Sequence, residues 1–491
     1  MQSIIHQIAV RMEEEILELI KKGGIEGLCR NCSDIQKITT KAAIDLIQSC
    51  AEELDEMMFK DKAFRKDQGL IVHQRNIERT ILLSIGELKY KRTAFKAEGQ
   101  EGLVYPVDNY LGIDKKEKVS KELGAKVVQA AAELSYSQSK EYACDGRVSK
   151  QTVKNKVDEI GELAVDSDHK QKTVEHLDIY VDEDHVHMRK DGKHANKYTG
   201  IVPLVVVSEG KKEENNRKSL INPIYFQGSG MKTSEFWQGI GAFLREEYNL
   251  EKNPEIILHS DGANWIKGID NEICDVRHVM DEFHIQEHIK RLCSGEIGNR
   301  YRLAVNTAIE SGDIESAIKI CDEMLSKVGE YEKTDAAIKA RKNKIREEKR
   351  YLIRNKESIR ERETGHHTGS CTESVVSHIT APRLSRNPMG WSTHGLSKMS
   401  MIIVYRQNGL EIPVDAKGTD KKHPSGSNYK EAPPKNVSKY IAYFNKQAEM
   451  TGHYDWSIFD KKDTTIGKVC FESVLMKSIQ NGGYAFPIKA S

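Results

Sequence analysis

The sequence predicts an α/β protein, and three observations carry that prediction. Residues 176 to 290 alternate short buried strand patterns with amphipathic helices, so that a two-residue period gives way repeatedly to a 3.6-residue one. Residues 285 to 362 show helical spacing alone. The first 65 or so residues are also helical in pattern and lead into a small strand-rich stretch. At about 100 to 200 residues per domain, 491 residues imply about three domains.

Composition sets the outer limits. A hydrophobic fraction of 38%, a charged fraction of 30%, 11 Pro and 35 Gly exclude collagen-like and low-complexity classes and indicate an ordered, helix-rich chain. Lys+Arg at 75 against Asp+Glu at 74 leaves a formal charge of +1, so any nucleic-acid surface must come from local clustering. No run approaches the roughly 18 apolar residues of a membrane span. Met1–Ile20 mixes acids with apolar residues where a secretory core would be apolar, which predicts a cytoplasmic protein without membrane association. Nine Cys scattered from Cys29 to Cys470 fit a reducing compartment. Cys29 and Cys32 make one isolated C-x-x-C, which lacks the second pair that a four-ligand zinc site needs and reads as structural.

The elements follow in order. Ile4, Ile8, Met12, Ile16 and Leu19 form one stripe of a packing helix. From Arg79 to Leu111, Thr80–Ser84 and Glu87–Phe95 read as strands broken by Gly86, Gly99, Gly102 and Pro106, which completes an N-terminal α+β region over residues 1–115. Residues 116–172 hold three short helices, Lys121–Leu134, Ser137–Cys144 and Ser149–Ile160, with Ser137 and Ser149 as N-caps and Asp145-Gly146-Arg147 as a turn. The last two have helix-turn-helix proportions, with Lys150, Gln151, Lys154, Asn155 and Lys156 facing outward toward phosphates and base edges. An ordinary helical hairpin with a solvated basic face has the same pattern.

The region 173–290 is the catalytic candidate. Leu177–Asp182, Val186–Arg189, Ile201–Ser208 and Ile221–Phe226 read as strands, followed by a helix at Ser234–Glu247 and a buried strand at Pro254–Asp261. A helix near Asn264–Ile273 and a strand at Val276–Met280 complete an order that a ribonuclease-H-like sheet requires. Residues 291–365 read as an all-helical insertion, from Leu303, Ala308, Ile314, Ala317, Ile320, Met324 and Val328. Its end, Lys339 to Arg362, holds eleven Lys/Arg against four Glu, a solvated face or a phosphate-neutralising one. A helix after Ser370 opens the stretch 366–410, and beyond Gly395 the pattern is mixed. Residues 411–491 include a polar loop, Asp415–Pro434, with no recognisable role.

Three acids stand out. Asp182 ends the first strand, Asp261 ends the fourth and Glu373 lies in the first turn after the insertion. In a ribonuclease-H-like fold the first and fourth strands are neighbours, so their terminal carboxylates converge and a later helix supplies the third. Such a trio suits two Mg²⁺ ions, with Mn²⁺ as a substitute, for in-line displacement at phosphorus. Each acid also has a plainer reading. Asp261-Gly262 makes a turn, Asp182 shares the acidic run Asp182-Glu183-Asp184, and Ser370-Cys-Thr-Glu373 satisfies a capping box. A competing pattern, His284-Ile-Gln-Glu287-His288, matches the H-x-x-E-H of zinc peptidases, while Asp281 upstream makes an equally coherent Asp281-Glu-Phe-His284.

At Ile179-Tyr-Val-Asp-Glu-Asp-His-Val, His259-Ser-Asp-Gly-Ala-Asn-Trp-Ile, Val279-Met-Asp-Glu-Phe-His and Thr372-Glu-Ser-Val-Val-Ser-His-Ile the chain resembles bacterial DDE transposases of the ISLre-two insertion-sequence family, relatives of the Mutator-like transposases. The likeness continues through Arg383-Leu-Ser-Arg-Asn-Pro-Met-Gly-Trp-Ser to Gly395 and Met399, covering residues 70 to 410 or so. It implies a ribonuclease-H-like domain interrupted by a helical insertion, and a metal-binding catalytic triad of Asp182, Asp261 and Glu373, with Asp184 as a rival for the first position. Asp281 and His284 look like the C/D-x-x-H element that shapes the site or contacts DNA, and Arg383 and Trp391 are implied to contact DNA, with packing as the plainer reading for Trp391 and surface solvation for Arg383. The resemblance also implies DNA partners, namely terminal inverted repeats and target DNA, together with self-association and a nucleoid location when bound. A catalytically decayed, DNA-binding relative and, more distantly, the zinc peptidase are the alternative expectations.

Overall fold

The computed structural model describes residues 2–30, 32–99, 101–167, 171–190, 193–214, 217–364, 378–386 and 390–414. The chain divides into two compact units, one of Met1–Asp55, Gln74–Thr93 and Tyr105–Lys422, the other of Glu56–His73, Ala94–Val104 and His423–Ser491.

Helices α1 (Gln2–Arg30, kinked at Gly24), α2 (Cys32–Lys60) and α3 (Lys62–Asp67) precede a three-stranded sheet of β1 (Leu70–Leu82), β2 (Glu87–Ala97) and β3 (Leu103–Val104). In the second unit the side chain of Asp61 caps α3, accepting from Phe64 N at 2.9 Å, and Phe95 and Lys96 pair with Val104 and Leu103. In the first unit, buried Asp55 accepts from both Thr93 N (2.8 Å) and Thr93 Oγ1 (2.6 Å). Nearby, Asp108 of the short helix α4 (Pro106–Tyr110) accepts from Tyr90 Oη at 2.6 Å and pairs with Arg92. Both carboxylates are buried, and each is matched by donors that repay its desolvation.

Three helices follow: α5 (Lys121–Ala131), α6 (Tyr136–Cys144) and α7 (Lys150–Glu159). Their shared interior is Leu123, Val127, Val128, Cys144, Val153 and Val157. The N-cap of α6 is Ser135, not Ser137. Ser135 and Gln138 satisfy each other's backbone N–H groups in a reciprocal capping box, while Ser137 lies inside the helix. Ser149 caps α7 as expected, accepting from Thr152 N at 3.0 Å. Asp145 (φ 48°) and Gly146 (φ 74°) make the left-handed turn between α6 and α7.

The central sheet contains β4 (His176–Lys190), β5 (Lys193–Ser208), β8 (Ile224–Gln227), β9 (Glu255–Ser260) and β10 (Val276–Met280), in the order β10-β9-β4-β5-β8. A separate hairpin, β6 (Lys211–Glu214) and β7 (Arg217–Leu220), interrupts the run between β5 and β8. β5 is antiparallel to β4 and β8, whereas β9 is parallel to both β4 and β10. Two expected strands, Leu177–Asp182 and Val186–Arg189, are thus one. The acidic residues between them stay in the ladder, with Asp182 opposite Leu204 and Asp184 opposite Val202. The strand expected from Ile221 begins only at Ile224, because Asn222 takes a positive φ of 46°.

Strand alternation sends successive side chains of β4 to opposite faces. Leu177, Ile179 and Val181 enter a core with Phe236, Trp237, Ile240 and Leu244 of α8 (Thr233–Glu247) and with Ile266 and Ile269 of the 3₁₀ helix Asn264–Asn271. Tyr180 and Val186 enter another, shared with α5, α7 and the helices α14 (Ala381–Leu384) and α15 (Thr393–Gln407). Of the stretch after Gly395, expected to be mixed, the part through Gln407 is α15, whose Leu396, Met399, Ile402 and Ile403 pack on the sheet at helical spacing.

The insertion is helical throughout: α9 (Glu282–Leu292), α10 (Gly295–Glu310), α11 (Ile314–Tyr331), α12 (Asp335–Arg354) and α13 (Lys356–Thr364) close around their own core. The basic stretch Lys339–Arg362 is two helices, not one, since α12 ends at Arg354 and Asn355 caps it.

Candidate functional site

The register of the parallel strands aligns three acids. β9 runs beside β4 with Tyr180 opposite His259, and the same register carried two positions further sets Asp182 level with Asp261. β10 runs beside β9 with Met280 opposite Ser260, so the next position sets Asp261 level with Asp281. Asp281 N donates to Ser260 O at 2.8 Å, which extends the ladder to that point. A row of carboxylates therefore crosses three neighbouring strands, just past the carboxyl ends of β9 and β10 and within β4, which continues to Lys190.

Each acid is oriented by backbone. Asp182 Oδ1 accepts from Glu183 N at 2.8 Å, and Asp261 Oδ1 accepts from Ala263 N at 2.9 Å in an Asx turn. Asp281 is buried and caps α9, accepting from Phe283 N (2.8 Å) and His284 N (3.4 Å). Its Oδ1 also lies 3.5 Å from His284 Nδ1. The Asp281 carboxylate holds the His284 imidazolium above the ordinary histidine range against the opposing effect of burial, and Asp182 and Asp261 add to the pull. His284 thus reports on all three acids at once. Asp184 points to the same face as Asp182 but lies two residues beyond the aligned row. It is buried, and its Oδ2 has no hydrogen-bond partner among the described residues.

Gly262 makes the row possible at Asp261. Its φ is +79°, and a Cβ there would sit 2.6 Å from Asn355 Oδ1 and 2.9 Å from Met280 Cε, so both the conformation and the space call for glycine. Asn355 belongs to the α12–α13 junction, and one helical turn earlier Tyr351 Oη lies 3.3 Å from Met280 Sδ. Burial, and then the charge of Asp261, raise the Tyr351 phenol above its usual range. Tyr351, Glu348 and Asn355 escape a reading of the sequence because the basic residues around them dominate the pattern. The available signal is the seven-residue spacing of Ile345, Leu352 and Ile359, which marks the buried face.

The remaining expected residues are placed as follows. Glu373 lies outside the described residues, and among the described residues no group of three His, Cys, Asp or Glu is disposed to hold a metal ion. The H-x-x-E-H side chains have separate partners: His284 faces Asp281, Glu287 pairs with Lys290 at 2.9 Å, and His288 Nδ1 meets Glu348 Oε2 at 2.6 Å while stacking on Tyr351. Lys150, Gln151, Lys154 and Asn155 are exposed on α7, with Lys154 paired to Asp158 and Gln151 Nε2 donating to Asn155 Oδ1 at 2.7 Å.

Arg383 and Trp391, expected at a DNA surface, are instead buried. Arg383 is 3% exposed, donates from Nε to Ala131 O at 2.8 Å, and lies between the rings of Tyr136 and Trp391. Such a slot suits a planar cation with an apolar fringe. Trp391 donates to Leu384 O at 3.0 Å and bridges by its backbone to His187 and Arg189 at the far end of β4.

The chain belongs to UPF0236, an uncharacterised protein family whose signature matches residues 27–418. Three curated UPF0236 proteins of Caldanaerobacter subterraneus subsp. tengcongensis are similar to it. One is 32% identical over 432 residues, covering 87% of this chain and 88% of the relative. A second is 33% identical over 432 residues (87% and 84%), and a third is 33% identical over 432 residues (87% and 88%). The name of the first joins eleven gene designations, and that of the third joins four. No helix among the described residues is long and apolar enough to cross a membrane.

Proposed function

We propose that the chain is a DDE-type transposase that binds insertion-sequence ends, cleaves them and joins them to target DNA. The observation that carries the reading is the register of the parallel strands β4 and β9, whose Tyr180–His259 pair carried two positions further sets Asp182, within β4, level with Asp261, just past the end of β9. The order β10-β9-β4-β5-β8, with β5 alone antiparallel to both its neighbours, supports a ribonuclease-H-like fold for this sheet. α6 and α7, joined by their left-handed turn, support a helix-turn-helix that presents Lys150, Gln151, Lys154 and Asn155. Relatives whose one name spans eleven gene designations fit a gene that is copied within a genome.

The donor chemistry fits Mg²⁺, because the aligned side chains are carboxylates and hard cations take oxygen ligands. Asp182 and Asp261, with Glu373 by motif, would hold two such ions, and Mn²⁺ would substitute. Bound there, the metal supplies neutralisation of phosphodiester charge and easier ionisation of the attacking oxygen. The chain's own residues do the positioning. One oxygen of each aspartate is tied to backbone, Asp281 fixes the first turn of α9, and His284 Nδ1 lies 3.5 Å from Asp281 beside the row. In the reaction, water attacks the phosphorus at the element's end and releases a 3′-hydroxyl. That hydroxyl then attacks a target phosphodiester, forming one P–O bond as another breaks. Pairing two ends calls for self-association of the chain, in the cytoplasm and on the nucleoid.

The test is purified protein with labelled DNA carrying the element's ends, in Mg²⁺, in EDTA and in Zn²⁺ alone. Nicks at the end boundaries that need Mg²⁺, and that vanish in Asp261→Asn while end binding persists, are the expected result. Cleavage retained in Asp261→Asn would remove the triad. End binding without nicks in the wild type would leave a DNA-binding relative, and neither binding nor nicking, together with stoichiometric bound zinc that is lost in His288→Ala, would favour the peptidase.

A further inference from the structure

The basic stretch of the insertion is not one population of charges. Arg341 is buried and spent on the end of α9, donating to Leu292 O at 2.5 Å and Ser294 Oγ at 3.1 Å. Lys349 pairs with Asp322, Lys356 and Arg360 share Glu315, and Arg362 pairs with Glu282. Of the six that remain, Lys342 and Lys344 are half-buried, and Lys339, Arg346, Arg350 and Arg354 stand out in solvent. None of these four makes an ion pair among the described residues. Arg346 donates to Asn343 Oδ1 at 3.3 Å, a neutral partner one turn back on the same helix.

At about 100° per residue these four fall on one stripe of α12, opposite the buried Arg341, Ile345, Glu348 and Leu352. At a rise of about 1.5 Å per residue the stripe is about 22 Å long, several phosphates of a duplex. Unpaired like charges at i and i+4 destabilise a helix, so their alignment calls for an anion outside the chain. The opposite face of the same helix seats Tyr351 against Met280, and Asn355 follows against Gly262 beside Asp261.

We propose that this outward stripe of α12 is a track for the DNA backbone, in which Lys339, Arg346, Arg350 and Arg354 each neutralise a phosphate. The assignment rests on the transposase reading for its partner and on the sorting of charges for its residues. It predicts sequence-independent contacts, because guanidinium and ammonium groups on phosphates carry no base information.

The experiment measures the affinity of the full chain for a labelled random-sequence duplex by fluorescence anisotropy across a potassium chloride series. Replacing all four residues with Gln keeps helix propensity and removes the charge. Each lost phosphate contact lowers the slope of log affinity against log salt by about 0.9, so the quadruple variant loses about 3.6. A fourfold rise in salt then weakens its binding about 150-fold less than it weakens the wild type. The control variant K349Q/K356Q/R360Q, which removes charges already paired within the protein, keeps the wild-type slope. A quadruple variant with an unchanged slope, or an equal fall in the control, overturns the track. Such a failure alongside Mg²⁺-dependent nicking that Asp261→Asn abolishes leaves the transposase reading standing. A slope that falls as expected in a protein that never nicks its ends removes the transposase and keeps the track.

Discussion

Substitution of Gly262 by alanine tests the turn that carries Asp261. Two costs combine. At φ +79° a side chain meets its own backbone, at about 1–2 kcal/mol for an L-residue in the left-handed region. The new Cβ would also stand 2.6 Å from Asn355 Oδ1, well inside van der Waals contact. Asn355 is 4% exposed and has little room to retreat, so the overlap adds about 1–3 kcal/mol, typical of overpacking. Gly262→Ala is therefore expected to lose about 2–5 kcal/mol. Asn355→Ala deletes the obstructing oxygen, so in the double variant only the backbone cost of the first substitution persists. The cycle should show a favourable coupling of about 1–3 kcal/mol. Urea denaturation followed by tryptophan fluorescence on the four proteins measures it. A Gly262→Ala protein as stable as the wild type, or a coupling below about 0.5 kcal/mol, would refute the packing of the insertion against this turn.

Other expectations follow from the same structure. Buried Asp178 accepts from His259 Nε2 at 2.8 Å and lies 3.0 Å from His176 Nε2; burial alone would raise its carboxyl, but the two imidazoles hold it well below the carboxylate range. Because the folded value is depressed, the stabilisation is complete above the unfolded value of about 4 and drains away as pH falls toward the folded one. Asp178→Ala should cost about 3–5 kcal/mol at neutral pH, with a gap from wild type that narrows below about pH 4, and a constant gap down to pH 2 in acid titrations would contradict this. Arg383→Lys should lower the urea midpoint, since an ammonium cannot stack between Tyr136 and Trp391, while the folded protein keeps its DNA affinity; the opposite pattern in an anisotropy titration would return Arg383 to a DNA surface. Arg341→Ala should strip the last carbonyls of α9 of their charged donor, cost about 1.5–3 kcal/mol and speed amide exchange around Ile289–Cys293, and unchanged exchange there would argue against the cap.

Much of the architecture is legible in the sequence because its signals are local. The strand Val276–Met280 is found at its observed bounds, and the insertion is helical from its first residue, both from side-chain periodicity. Where tertiary pairing outweighs local pattern, the reading fails. The acids Asp182 to Asp184 look like a strand end, yet β5 holds them in the ladder. Arg383 looks like a surface cation, yet the two rings that bury it come from residues far apart in sequence or on a separate turn. Asp261 is visible as a strand-terminal acid, immediately after the last residue of β9. What the sequence does not reveal is Asn355 behind Gly262, because a contact between residues so distant leaves no periodic trace.

β4 has one more consequence. Its odd-numbered residues Leu177, Ile179 and Val181 line one hydrophobic layer, and its even-numbered Tyr180 and Val186 line the other. Neither layer can melt while the other keeps this strand in place, so both should disappear in a single calorimetric transition. Inserting or deleting one residue before Asp182 would exchange the two layers' side chains wholesale and turn the carboxylate to the wrong side. The position of Asp182 is thereby protected by the oil on both sides of it, and an evolutionary drift of that acid along the strand is closed off by folding before chemistry is ever consulted.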